Sequence, residues 1–104
     1  MELWIRSQDK NELVKMEKEI INFLEDLVHK RFTFEELKTY IKNNYKDFIV
    51  ELLERDLEYI DEFVDYNLIG SLQNKDKDIL CDFDIYYAKT RSGKMYITEV
   101  VYEF

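Results

Sequence analysis

Proline is absent from this 104-residue chain, glycine occurs only at Gly70 and Gly93, and cysteine and histidine occur once each, as Cys81 and His29. Each shortage removes a class of function. Two isolated glycines provide no Gly-rich loop to cradle phosphate, and without proline there is no proline-rich linker. One cysteine cannot form an internal disulfide, and its place in an alternating apolar run makes it a small buried hydrophobe rather than a nucleophile. One histidine leaves histidine zinc sites and Ser/His/Asp triads short of members. Near a helix end it suits the dipole and the last carbonyls instead. No apolar run approaches the roughly 18 residues of a membrane span, and no signal-peptide succession opens the chain, so a cytoplasmic protein is expected. The alternating acids, central glycine and final glutamate of an EF-hand are also missing.

What the chain has in quantity is acid and aromatic side chain. Its net charge is −8, and 15% of its residues are aromatic within an apolar content of 46%. Disordered acidic tails lack the aromatics needed to bury surface, so the expectation is one folded domain over residues 1–104. The charge is concentrated. Between Glu51 and Asp65 stand seven acids (Glu51, Glu54, Asp56, Glu58, Asp61, Glu62, Asp65) against one base, Arg55. If this segment is helical, all but Asp56 fall in one stripe about 100° wide. Like charges at i,i+3 and i,i+4 are each unfavourable by a few tenths of a kcal/mol, roughly 1–3 kcal/mol in sum. A stripe of that kind suits a basic partner, and the competing reading is a solvated face.

Along the chain, Leu3 and Ile5 alternate with Glu2, Trp4 and Arg6 as in a short half-buried strand, with Trp4 on its exposed side. Asp9 with Glu12 reads as a capping box opening a helix over about residues 10–30, its apolar face formed by Leu13, Met16, Ile20, Phe23, Leu24, Leu27 and Val28. Thr33 with Glu36 is a second capping box, with Phe32 as a staple on Leu37, so another helix begins near Phe34 and fades near Asn43 and Asn44. Asp47 then caps the acidic helix. Ile49, Leu52, Leu53, Leu57, Ile60, Phe63 and Val64 form its buried face, Gly70 ends it, and residues 74–78 make a solvated loop.

The C-terminal pattern is strand-like. Ile79, Cys81, Phe83, Ile85 and Tyr87 alternate on odd numbers, and Tyr96, Thr98, Val100, Tyr102 and Phe104 on even numbers. Joining odd to even calls for a hairpin loop of two or four residues within Arg91–Lys94, with Gly93 at positive φ. That register sets Ile85 against Val100, Phe83 against Tyr102 and Cys81 against Phe104. On the reverse side it gathers Asp82, Asp84, Glu99 and Glu103 beside Tyr86, with Asp82 opposite Glu103. Charges there also discourage addition of further strands. The expected architecture is α+β in the order β-α-α-α-β-β, three helices covering one face of a small antiparallel sheet made of the hairpin and the N-terminal strand.

No cofactor, metal or catalytic residue is expected. Asp84 with Glu99 on adjacent strands resembles the metal-binding acids of restriction-type nucleases, but the lysine that such sites place two residues beyond the second acid is Val101 here. Direct nucleic-acid binding is disfavoured by the sign of the charge. A surface that imitates nucleic acid to a basic groove is the converse, with carboxylates repeating about every 5–6 Å along a helix and fast, salt-sensitive association. The expected binding surface is Glu51, Glu54, Glu58, Asp61, Glu62, Asp65, Asp82, Asp84, Glu99 and Glu103, with Trp4, Tyr59 or Tyr86 as aromatic anchors. Phage-encoded anti-CRISPR and other anti-defence inhibitors are similar in size and acidity, a likeness of class with no shared motif. The expected function is thus a small acidic inhibitor of a nucleic-acid-binding enzyme or complex. The alternatives are an immunity protein that neutralises a toxin nuclease, or a non-catalytic regulatory or structural subunit. Exposed sheet edges and aromatics are also compatible with a homodimer.

Overall fold

The computed structural model describes residues 2–54, 66–77 and 79–104, with side chains from residue 11 onward. Its described elements are α1 (Glu2–Asp26), β1 (Arg31–Phe32), α2 (Phe34–Asn44), β2 (Phe48–Glu54), β3 (Tyr66–Asn74), β4 (Leu80–Lys89) and β5 (Met95–Glu103). The strands form one antiparallel sheet in the order β1-β5-β4-β3-β2. The expected β-α-α-α-β-β arrangement is therefore wrong. Among the described residues, two helices pack against a five-stranded sheet.

Leu3 and Ile5 belong to α1 and not to a strand, and Asp9 and Glu12 lie inside that helix rather than at its start. Two alternating apolar positions are a weak strand signal, and the heptad-like run beginning at Leu13 extends upstream through residues that include neither glycine nor proline. Ile20, Leu24 and Leu27 are fully buried, with Leu13, Met16 and Phe23 packed around them. The helix stops at Asp26, four residues short of expectation. Leu27 and Val28 donate to the carbonyls of Leu24 and Glu25 in a tightened last turn, and His29 adopts φ +74°. That left-handed residue turns the chain so that the His29 N–H donates to Ile97 O (2.8 Å), while the Ile97 N–H donates to Lys30 O (3.0 Å). The His29 ring stacks on Tyr96.

The second capping box is present: the Thr33 hydroxyl accepts from the Glu36 N–H and the Glu36 carboxylate from the Thr33 N–H, both at 3.1 Å. These hydrogen bonds, with Lys94 at 3.7 Å, hold the Glu36 carboxyl below its ordinary range. Phe32 rests on Tyr40, the first link of a ring chain running through Phe23 and Tyr45 to Phe48 and tying β1, α2, α1 and β2 together.

The largest correction concerns the acidic helix. Residues 48–54 are an edge strand whose partner is β3, paired without interruption from Phe48 opposite Asn74 to Glu54 opposite Leu68. Leu52 is buried as expected, but Ile49 and Leu53 are exposed, because a strand sends them to the face opposite Leu52. Leu57, Ile60, Phe63 and Val64 lie outside the described residues, as do Asp56, Glu58, Tyr59, Asp61, Glu62 and Asp65. Asp47 caps nothing helical and sits 3.6 Å from Lys75. Gly70 is not a helix terminus but the middle of β3, between Leu52 and Phe83. A Cβ at Gly70 would run into the Phe83 ring.

The β4–β5 hairpin carries the expected register by a different route. Asp82 faces Glu103, Phe83 faces Tyr102 and Ile85 faces Val100, and the ladder stops one step short of Cys81 and Phe104. The loop is odd, however. Thr90 donates to Lys94 O and Gly93, at φ +83°, donates to Thr90 O, leaving Arg91, Ser92 and Gly93 as a three-residue turn. One extra residue in β5, Thr98, restores the parity: Tyr86 pairs with Glu99 but Tyr87 with Ile97. Below this bulge the odd residues Met95 and Ile97 are buried, and Tyr96 turns to the other side. Cys81 is fully buried, and that burial pushes its thiol up to about 11.

Two predictions follow from these backbone positions. Gly70→Ala should lower the unfolding free energy by about 1–3 kcal/mol through overpacking, whereas in a Phe83→Leu background the same change should be close to neutral; denaturant unfolding of the four proteins measures this coupling. His29→Val should cost about 1–2 kcal/mol by placing a β-branched residue at positive φ, and His29→Asn much less.

Candidate functional site

Alternation divides the sheet into two unlike faces. Leu52 of β2, Leu68 and Leu72 of β3, Ile79, Cys81, Phe83, Ile85 and Tyr87 in and beside β4, and Met95 and Ile97 of β5 join the helices in a single core. The other face has neither α1 nor α2 upon it. Its residues are Ile49, Glu51 and Leu53 on β2, Ile69, Ser71 and Gln73 on β3, Leu80, Asp82 and Asp84 on β4, and Glu99, Val101 and Glu103 on β5. The pairings Glu51–Ser71, Ser71–Asp82 and Asp82–Glu103 run as one row across the four strands, with Leu53–Ile69, Ile69–Asp84 and Asp84–Val101 as the next.

Five carboxylates and no lysine or arginine occupy these positions. The ion pairs among the described residues are Lys75–Asp47 and Lys94–Glu36, so none of the five has a described cation within 4.0 Å. Interleaved with them are apolar side chains left in water: Leu53 is 67% exposed, Leu80 48%, Val101 47% and Ile69 41%. Between Asp82, Asp84, Val101 and Glu103 lies a shallow depression of about 150 Å3, floored by Phe83 and Tyr102. The face is bounded at the Asn67–Tyr86 rung, where Asn67 is only 4% exposed and Tyr86 half-buried.

The structure thus redistributes the expected surface. Asp82, Asp84, Glu99 and Glu103 share one face as the register required, and Glu51 joins them from two strands away. Glu54 does not. Three residues along a strand reverse the face, so Glu54 lies on the helix side, beside Tyr87, Lys89 and Met95 in a separate depression of about 360 Å3. There the Tyr87 hydroxyl is raised above its ordinary range by burial first and by the Glu54 charge second, and Lys89 sits 4.3 Å over the Tyr66 ring. Tyr86 is half-buried at the rung that bounds the face. Trp4 lies on α1 with its side chain outside those described, and Glu58, Asp61, Glu62 and Asp65 lie outside the described residues. The apolar members Leu53, Ile69, Leu80 and Val101 were missed. Ile69 and Leu80 alternate out of phase with their buried neighbours, and that phase was the available signal.

The chain matches no protein-family model, no curated protein and no solved structure. The site therefore stands on its own chemistry. Among the described residues no three histidine, cysteine, aspartate or glutamate side chains gather where a metal ion would be held, and Asp84 and Glu99 are offset diagonally, facing Val101 and Tyr86. No described helix is long and apolar enough to cross a membrane.

Asp82 and Glu103 directly opposite one another are mutually destabilising. Glu103→Lys should therefore raise stability by about 0.5–1 kcal/mol in low salt, with the gain shrinking as ionic strength rises. Thermal unfolding at two salt concentrations measures both.

Proposed function

We propose that this domain is a protein-binding inhibitor whose open sheet face occupies a basic, nucleic-acid-binding groove of a larger protein. The observation that supports the reading is the composition of that face: Glu51, Asp82, Asp84, Glu99 and Glu103 without a described counter-charge, set among exposed Leu53, Ile69, Leu80 and Val101. Carboxylates of one sign steer a cationic surface into contact and fix its register. The apolar side chains between them supply the area that becomes dry on contact, which a merely solvated acidic face would lack. Lysines and arginines that grip a phosphate backbone have the sign and spread to meet such a face. The partner is thus a basic protein or complex and not nucleic acid itself.

The apolar share of the face also favours a second reading, a non-catalytic subunit that docks permanently on a larger assembly. Salt separates the two, since a contact carried by apolar area persists where one carried by charge weakens.

Affinity capture from the native host, with wild-type protein and an Asp82→Asn/Asp84→Asn/Glu103→Gln variant as parallel baits, tests the proposal. The expected result is a basic partner held by the wild type in low salt, weakened about tenfold or more by the variant, and released by added duplex DNA or RNA. A partner held equally by both baits, or indifferent to nucleic acid and to salt, would overturn the inhibitor reading; persistence in high salt would support the subunit.

A further inference from the structure

We infer that β2 pairs with β2 of a second copy of this chain, joining two sheets edge to edge across a two-fold axis at Glu51. Among the described residues β2 has β3 as its one neighbour, so the amides and carbonyls of about half its seven residues point away from the sheet. Neither a bulge nor a proline interrupts it along its pairing with β3 from Phe48 to Glu54, and its charges are Glu51 and Glu54 alone.

The sequence of the strand is nearly symmetric about its centre. In Phe48-Ile49-Val50-Glu51-Leu52-Leu53-Glu54, Ile49 and Leu53 lie two residues on either side of Glu51, and Val50 and Leu52 lie one. A two-fold axis makes contacts reciprocal, so residue i meets j and j meets i. Antiparallel pairing centred on Glu51 sets Ile49 against Leu53 of the second copy on the open face, twice. These are two exposed side chains, at 50% and 67%. On the helix side it sets Val50 against Leu52 of the second copy, also twice.

Charge complementarity acts at the ends of the contact. Lys38 and Lys42 of α2 overhang the β2 edge, lining a groove of about 380 Å3 with Val50, Glu51, Leu52 and Leu53, and neither is in an ion pair among the described residues. A strand laid in that groove brings its own Glu54 to the helix side opposite Phe48, one same-face step beyond Val50 at the end of the lysine-lined groove. Two such contacts oppose the single unfavourable one, Glu51 against Glu51 on the axis. The pairing also extends the acidic open face across both copies, with the two Glu51 side chains at its middle.

Sedimentation equilibrium of the full chain across micromolar to millimolar concentrations provides the test, with circular dichroism confirming that each variant is folded. The expected result is a reversible dimer. Glu51→Gln, which removes the central repulsion, tightens it about two- to fivefold. Leu53→Glu, which exchanges an apolar contact for like charge at a residue already in water, weakens it about tenfold or more. Val14→Glu, 44% exposed on α1 and outside the β2 contact, leaves it unchanged. Wild type and Glu51→Gln both monomeric throughout the range, a dimer indifferent to Leu53→Glu, or one abolished by Val14→Glu would overturn the assignment.

Discussion

The meeting of acids on the open face depends on the parity of the β4–β5 register, which decides whether Glu99, Val101 and Glu103 share a side with Asp82 and Asp84. A sheet with one buried face tolerates no one-residue slip, since a slip exchanges core for surface along the whole strand. In this hairpin the odd residues of β4 must share a side with Val100 and Tyr102 near its open end and with Met95 and Ile97 near its loop. No regular strand does both. The bulge at Thr98 resolves the conflict, and the Thr98 hydroxyl donates to Tyr86 O across the same rung. Because the three-residue turn is odd and the bulge adds one, Asp82 and Glu103 come face to face. Moving the bulge by a single rung would change which β5 residue faces Glu99's present partner and begin to turn β5 side chains through the sheet.

The middle of the chain was misread for a reason that its residues make plain. Ile49, Leu52 and Leu53 satisfy helical spacing, but Phe48, Val50 and Leu52 satisfy strand spacing over the same seven residues, and a short apolar run does not discriminate. Phe48, Ile49 and Val50 are residues that favour strands, and they decide between the two spacings. Gly70 misled in the same way. A glycine after an apolar run reads as a helix end, whereas here its missing Cβ makes room for Phe83, a packing demand visible only once β3 and β4 are side by side. The capping box of Thr33 and Glu36 was legible, since its reciprocal hydrogen bonds need no tertiary context, whereas the same pattern at Asp9 and Glu12 falls inside α1 and caps nothing. The buried odd positions of β4 were legible too, because five alternating apolar residues allow no other face.

Placing Glu51 on a strand changes what its charge does. On a helix it would have stood in line with Glu54; on β2 the two lie on opposite sides of the sheet. Glu54 is thereby drawn into the environment of Tyr87, Lys89 and Tyr66, while Glu51 joins a row whose other acids, Asp82 and Glu103, are far away in sequence. Among the described residues, the two acids of the 51–54 segment thus divide between the sides of the sheet, while Asp82, Asp84, Glu99 and Glu103 of the hairpin share one. Charge per residue along a chain measures composition. Charge per face depends on register, which is set by apolar packing.

That dependence bears on whether the open face is merely solvated. Solubility alone is met by lysines and glutamates interspersed, as along α1 at Lys15, Glu17, Lys18 and Glu19, where opposite signs offset one another at little expense in stability. The open face does the reverse: it sets Asp82 against Glu103 and leaves leucine, isoleucine and valine in water between acids. Each choice opposes folding or solubility, and the proposed role would relieve both at once, since a cationic surface would neutralise the acids and dry the apolar side chains; that double relief favours binding over solvation.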